Sequence, residues 1–250
     1  MFFFHPRWPV FYEDNHVLVL YKPAGLIMQR GPKGKINFVD LARVWLKDRH
    51  GKPGNVFVGM VHRLDAPVAG VMVLPKTSKA ASRLSSQFRE NQVVKTYLAV
   101  VEGRPESQSG ALTHHLVRRG RLSIVVPGGT PGSQEARLSY RVFETRGKRS
   151  LLEVNLETGR RHQIRAQLAS AGLPVAGDVS YGAPRPMRDG RIALLARELA
   201  CRHPTRVEPL RFSTPLPKGW PWPARSRESG RPLWTLEDFE REGLTLRHHG

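Results

Sequence analysis

His62-Arg63-Leu64-Asp65 runs, after a short break, into Gly70-Val71-Met72-Val73-Leu74. An aspartate stands just past an arginine and just ahead of an apolar run of strand length. A carboxylate in such a place is a cap or a reagent. An arginine nearby favours the ionised form, and an ionised aspartate can serve as nucleophile, base or ligand. Taken alone, Asp65 reads equally well as a turn aspartate ahead of Ala66-Pro67.

Working outward, strands dominate. Residues 11–21 read as two short strands around a turn at Asp14-Asn15. Lys22-Pro23-Ala24-Gly25 breaks that pattern. Residues 38–46 carry apolar groups at Phe38, Leu41, Ala42, Trp45 and Leu46, which is helical spacing, with Asn37 as N-cap. Residues 56–61 and 70–74 read as strands, and 78–91 as a helix capped by Ser78. A strand over 93–101 contains Tyr97. Further β-like runs fall at 122–126, 136–144 and 150–156. Thr158-Gly159 opens a third helix over 160–171, which Gly172 ends. Strands resume at 192–202 and 210–213.

Many strands with few helices predict an α+β domain built on a sheet. The expected organisation is one domain over residues 1–214 and a Pro-, Arg- and Trp-rich extension over 215–250. In that extension Trp220 and Trp222 read as a strap packed on the sheet. Thr235-Leu236-Glu237-Asp238 reads as a capping box for a short final helix.

The chain has 250 residues, enough for a sizeable core. Lys and Arg total 40 against 21 Asp and Glu, a formal charge of +19. So large an excess points to a polyanionic partner, and nucleic acid leads because Lys and Arg neutralise phosphate. Cys201 is the one cysteine. It excludes an intramolecular disulfide and a cysteine-based zinc site, and its apolar neighbours make it a core thiol. The apolar start Met1-Phe2-Phe3-Phe4 is too short for a signal peptide. No stretch reaches the ~18 apolar residues of a membrane span. The expectation is a soluble, cytoplasmic protein with no membrane partner.

A second constellation is Thr158-Gly159-Arg160-Arg161-His162-Gln163-Ile164-Arg165. On a helix, Arg161 and Arg165 lie four apart and share a face. Three basic or imidazole side chains at a helix start oppose its dipole, so an anion docked there would explain them. A solvated basic face is the plainer reading. The third is Lys95-Thr96-Tyr97, whose phenol ring could stack on a base or pass a proton. A core tyrosine would look the same. No phosphate-binding loop, no metal-ligand spacing and no nucleophile elbow is present in the sequence.

In series, these motifs resemble the RluA-type family of RNA pseudouridine synthases. The resemblance spans about Tyr12 to Pro215. It runs through Tyr12-Glu13-Asp14, Lys22-Pro23-Ala24-Gly25, His62-Arg63-Leu64-Asp65, Lys95-Thr96-Tyr97, the segment 158–165, Gly177-Asp178-Val179-Ser180-Tyr181-Gly182 and His203-Pro204. It implies a mainly antiparallel central sheet with flanking helices and a catalytic cleft. It also implies isomerisation of uridine to pseudouridine in structured RNA, tRNA or rRNA, without metal, cofactor or nucleotide.

By the resemblance, Asp65 is the catalytic aspartate, Tyr97 stacks on the target uracil, and Arg165 pairs with Asp65. Arg63 and His62 lie beside the nucleotide, with Arg63 helping to flip it. Arg160, His162 and Gln163 shape the cleft. A monomer is expected. Two departures stand out: Val68-Ala69 where the family shows Thr-Ser, and Leu195 where it often has His. The competing readings are a non-catalytic RNA-binding or RNA-folding protein on the same fold and, more distantly, a carboxylate-based glycosylase, for which no second carboxylate stands at a suggestive spacing.

Overall fold

The structure, a computed structural model, describes residues 10–29, 37–187, 190–217 and 219–222. They form two compact units. The first takes the described residues of Met1–Val93 and Leu199–Lys218, the second those of Val94–Glu198 and Gly219–Arg227. Strand pairing is mainly antiparallel and helices are few, so the fold class is α+β as expected.

In the first unit, β1 (Val10–Glu13) and β2 (Val17–Lys22) form a hairpin. Asp14 closes it, its Oδ1 accepting from the main-chain N–H groups of His16 (2.8 Å) and Val17 (2.7 Å). An aspartate that bonds its own turn in this way sets the direction of the returning strand. Helix α1 (Phe38–His50) begins where expected, with the Asn37 side chain accepting from Asp40 N–H (3.0 Å). Strand β3 (Ala69–Pro75) pairs with β2 from Val17↔Pro75 to Lys22↔Gly70. Both strands are buried along their whole length, which explains their unbroken apolar runs.

Helix α2 (Ser78–Arg89) is capped by Thr77 rather than Ser78: Thr77 Oγ1 accepts from Ala80 N–H (3.1 Å). It packs Leu84 and Phe88 on Val17, Val19, Val71 and Val73, and the free thiol of Cys201 closes the same core. Burial pushes that thiol up to about 11, so it stays protonated and inert.

The expected strand over residues 56–61 forms no ladder. Gly59 N–H donates to Pro75 O (2.9 Å), and Pro75 has no N–H to return the bond. Further along, the Val73 N–H goes to the side chain of His62 (3.0 Å). A side chain thus takes a donor that a paired strand would have used.

The second unit contains β4 (Val94–Glu102), β5 (Ser109–Arg119), β6 (Leu122–Val126), β7 (Gln134–Arg146) and β8 (Arg149–Leu156). Their order is β4-β8-β7-β5-β6, with every neighbouring pair antiparallel. Helix α3 (Gln163–Ser170) lies on one face. There Ala166 meets Leu116 and Ala136, and Gln167 Nε2 donates to the carbonyls of Leu112 (2.9 Å) and Ala136 (3.0 Å). The chain enters β9 (Leu194–Arg202) in this unit and leaves it in the first, where β10 (Pro209–Ser213) pairs with it. Leu195, at the position of the second departure, is fully buried in β9.

Helix α3 starts three residues later than expected. Arg160 and Arg161 precede it, and His162, with φ 52°, is its N-cap without a side-chain capping bond. Arg161 and Arg165 therefore do not share a helix face. The cause is Gln163, whose Oε1 accepts from Thr158 Oγ1 (2.8 Å) and Arg160 N–H (2.9 Å) and folds the approach into a turn.

Trp222 packs on the second unit's sheet as a strap would. It is buried, and its indole N–H donates to Glu144 (3.1 Å). The capping box at 235–238 and the apolar N-terminal run lie outside the described residues. No helix among the described residues is long and apolar enough to cross a membrane.

Candidate active site

Asp65 stands half-buried at the start of a turn closed by Val68 N–H donating to Asp65 O (3.0 Å). The turn is held from beneath by Lys22, the last residue of β2, which is fully buried. Its ammonium donates to the main-chain carbonyls of Pro23 (2.9 Å), Asp65 (3.3 Å), Ala66 (3.2 Å) and Val68 (2.7 Å). Burial pushes Lys22 down to about 7, while the negative charge of Asp65 acts to raise it. Gly25 adds a main-chain bond to Ala66 O (2.7 Å) from a left-handed conformation, φ 89°. Three bonds from Lys22 and one from Gly25 thus hold the turn. Val68 and Ala69 are buried, with the Val68 carbonyl among Lys22's acceptors.

Sequence reasoning missed Lys22. The signal was a lysine closing a six-residue apolar strand immediately before Pro23, where the strand pattern appeared only to break.

His62 and Arg63 differ in exposure. The His62 ring stacks on Phe88, with centroids 4.7 Å apart and planes 15° apart, and its Nε2 accepts from Val73. That bond assigns the proton to Nδ1. Arg63 points to solvent. His62 thus ties the aspartate's segment to β3 while Arg63 stands at the surface.

In the second unit, Tyr97 lies on β4, paired with Val154, and is half-buried. Arg165 on α3 is buried and bonds Asp178 twice, Nε to Oδ2 at 2.6 Å and Nη2 to Oδ1 at 2.8 Å. Its guanidinium carbon sits 4.7 Å from the centroid of Tyr181. His162 Nδ1 lies 2.9 Å from the Tyr181 hydroxyl and its Nε2 3.4 Å from Arg161 Nε. Gln163 is buried, and its Nε2 donates to Arg137 O (2.9 Å). Arg160 Nε donates to Glu135 O (2.9 Å). The second unit therefore gathers His162 and Arg165 around Tyr181 and Asp178, with Gln163 bonded separately to Thr158, Arg160 and Arg137, while His62, Arg63 and Asp65 belong to the first.

The outermost motifs of the series also meet. His203 Nδ1 accepts from the Arg206 N–H (3.0 Å), so its proton sits on Nε2, which donates to Asp14 Oδ2 (2.8 Å). Tyr12 and Arg206 bond the same Asp14 oxygen. Burial acts to raise the Asp14 carboxyl, but the main-chain N–H groups of His16 and Val17, with His203 and Tyr12, hold it down to about 2. His203-Pro204 and Tyr12-Glu13-Asp14 are one structural latch.

Residues 16–170 match the family model described as RNA pseudouridylate synthase. The ribosomal large subunit pseudouridine synthase D of Nitrosomonas europaea is 35% identical over 219 residues, covering 83% of this chain and 62% of that protein. The protein of the same name in Xanthomonas campestris pv. campestris is 36% identical over 231 residues, covering 84% of this chain and 66% of that protein. The chain thus spans a little under two thirds of the length of these relatives. Among solved structures, human RNA Pseudouridylate Synthase Domain Containing 4 superposes with a TM-score of 0.72 at 25% identity, over 85% of this chain and 90% of that one.

Proposed function

We infer function from family: the chain belongs to the RNA pseudouridylate synthases, in their RluA-type branch. We propose that it isomerises uridine to pseudouridine in structured RNA. The N1–C1′ bond breaks, the uracil turns, and a C5–C1′ bond forms. C5 loses its proton and N1 gains one, so the reaction is redox-neutral. Asp65 starts it, by attack at C1′, by addition to C6 of the ring, or as a base at C2′. Each route needs an ionised carboxylate in a fixed place.

The single observation that carries this reading is the cage around Lys22, which pins the Asp65 turn to the core through the carbonyls of Asp65, Ala66 and Val68. Such rigidity is what a reacting group requires and a surface turn does not. In the same reading Tyr97 stacks on the target uracil, Arg165 supplies positive charge to Asp65, and Arg63 helps flip the nucleotide. His62, Arg160, His162 and Gln163 form and brace the RNA-binding surface. The protein acts as a cytoplasmic monomer. Between tRNA and rRNA we favour large-subunit rRNA, because that is the substrate in the names of the Nitrosomonas and Xanthomonas relatives.

The test is pseudouridine mapping of rRNA and tRNA from a strain lacking the gene, complemented by wild type or by Asp65→Ala. A mark lost on deletion and restored only by wild type confirms the activity and names the uridine. A phenotype restored by both proteins, with no mark changed, would instead make the chain an RNA-binding protein on the same fold.

A further inference from the structure

We propose that Asp178, together with Tyr181, is a positioning residue for Arg165, holding its guanidinium at one location and in one plane; the inference rests on the reaction proposed above. A flat cation is fully placed by one contact along its edge and one on its face. Asp178 supplies the edge, with bonds of 2.6 and 2.8 Å to Nε and Nη2. Tyr181 supplies the face, at 4.7 Å.

Both supports are themselves fixed. A 3-10 turn, Val179–Tyr181, connects them, and Tyr181 N–H donates to Asp178 O (2.9 Å). The chain enters that turn through Gly177 at φ 88°, where a Cβ would lie 2.7 Å from Met187 Cγ and 3.0 Å from Arg191 O. The Tyr181 hydroxyl accepts from Ser123 N–H (2.9 Å) and donates to Ser123 O (3.1 Å). His162 Nδ1 approaches the same oxygen.

The arrangement is more than packing requires. The side chains of Arg165 and Asp178 are 7% and 1% exposed. A pair buried this deeply adds little stability over apolar residues of the same size, because both charges lose their water. A fork held in place, by contrast, has direct value for a reaction in which an ångström of misplacement costs about a hundredfold.

The experiment measures single-turnover pseudouridine formation at saturating enzyme, with RNA affinity measured separately. Asp178→Asn is expected to slow the reaction about a hundredfold while the RNA Kd stays within about threefold. Ethylguanidinium is then added to Arg165→Ala. It is expected to restore at least about tenfold of the lost rate when Asp178 is present, and none in Arg165→Ala/Asp178→Asn. If Asp178→Asn does not fold, Arg165→Ala/Tyr181→Leu takes its place, and weaker rescue there supports the proposal. A rate for Asp178→Asn near that of wild type, or equal rescue with and without these supports, overturns it. A wild-type protein that forms no pseudouridine on any rRNA or tRNA defeats the proposed function instead, so the two failures are distinguishable.

Discussion

Lys22 donates to the main-chain oxygen of Asp65 across 43 residues of sequence, at 3.3 Å, from a position with no solvent exposure. The same ammonium reaches Ala66 and Val68. The base of the turn that presents the aspartate is therefore a buried lysine, where a surface turn would rely on water.

Lys22→Met should remove the shared donor and leave the buried carbonyls short of partners. The expected cost is about 3 kcal/mol, from the unmade bonds of groups that water does not reach. It would appear as a lower urea midpoint with an unchanged m-value. An unshifted midpoint would mean that the turn finds other donors.

Arg165→Met should lower turnover by about a hundredfold or more and leave the RNA Kd within about threefold, the pattern of an interaction used in the transition state. Parallel losses of rate and affinity would make Arg165 an RNA-binding residue instead.

Asp14→Asn should lose stability in a pH-dependent way. The carboxyl of Asp14 is held at about 2 in the folded chain against an ordinary value of 3.8. Its stabilisation is thus fully present above the ordinary value and disappears as pH falls through about 2. The gap between wild type and Asp14→Asn in thermal unfolding should be constant near neutrality and close between these two values. A gap of the same size at pH 2 and pH 6 would refute the role of the charge.

Trp222→Ala removes a buried ring that bonds Glu144 at 3.1 Å and lies 5.6 Å from the guanidinium of Arg146. It should cost about 3 kcal/mol and leave the RNA Kd within about threefold. Weaker RNA binding at undiminished stability would turn the strap into a nucleic-acid contact.

Most of the elements could be read from the chain because they rest on local physics; the strand expected over 56–61 and the unanticipated strand β5 are the exceptions. Asn37 caps α1 as expected, since a side chain three residues from its acceptor needs no tertiary context. Strands β2 and β3 announce themselves as apolar runs of the right length. The motif series marked the family, and the resemblance it carries singled out Asp65, Tyr97 and Arg165.

The partners were decided by the fold. Lys22 reaches residues 65–68, Arg165 takes Asp178, and His203 reaches Asp14 across 189 residues. Nothing in a linear pattern distinguishes these donors and acceptors from any others of their type. The start of α3 was misread because Gln163 is held at Arg137 O, 26 residues away, while it bonds back to Thr158 and Arg160, and the resulting turn displaces three residues of helical spacing. Periodicity reports which face a residue presents, a property of a few neighbours along the chain. A buried charge or amide must find its complement wherever the folded chain supplies one, and only the tertiary structure brings the two together.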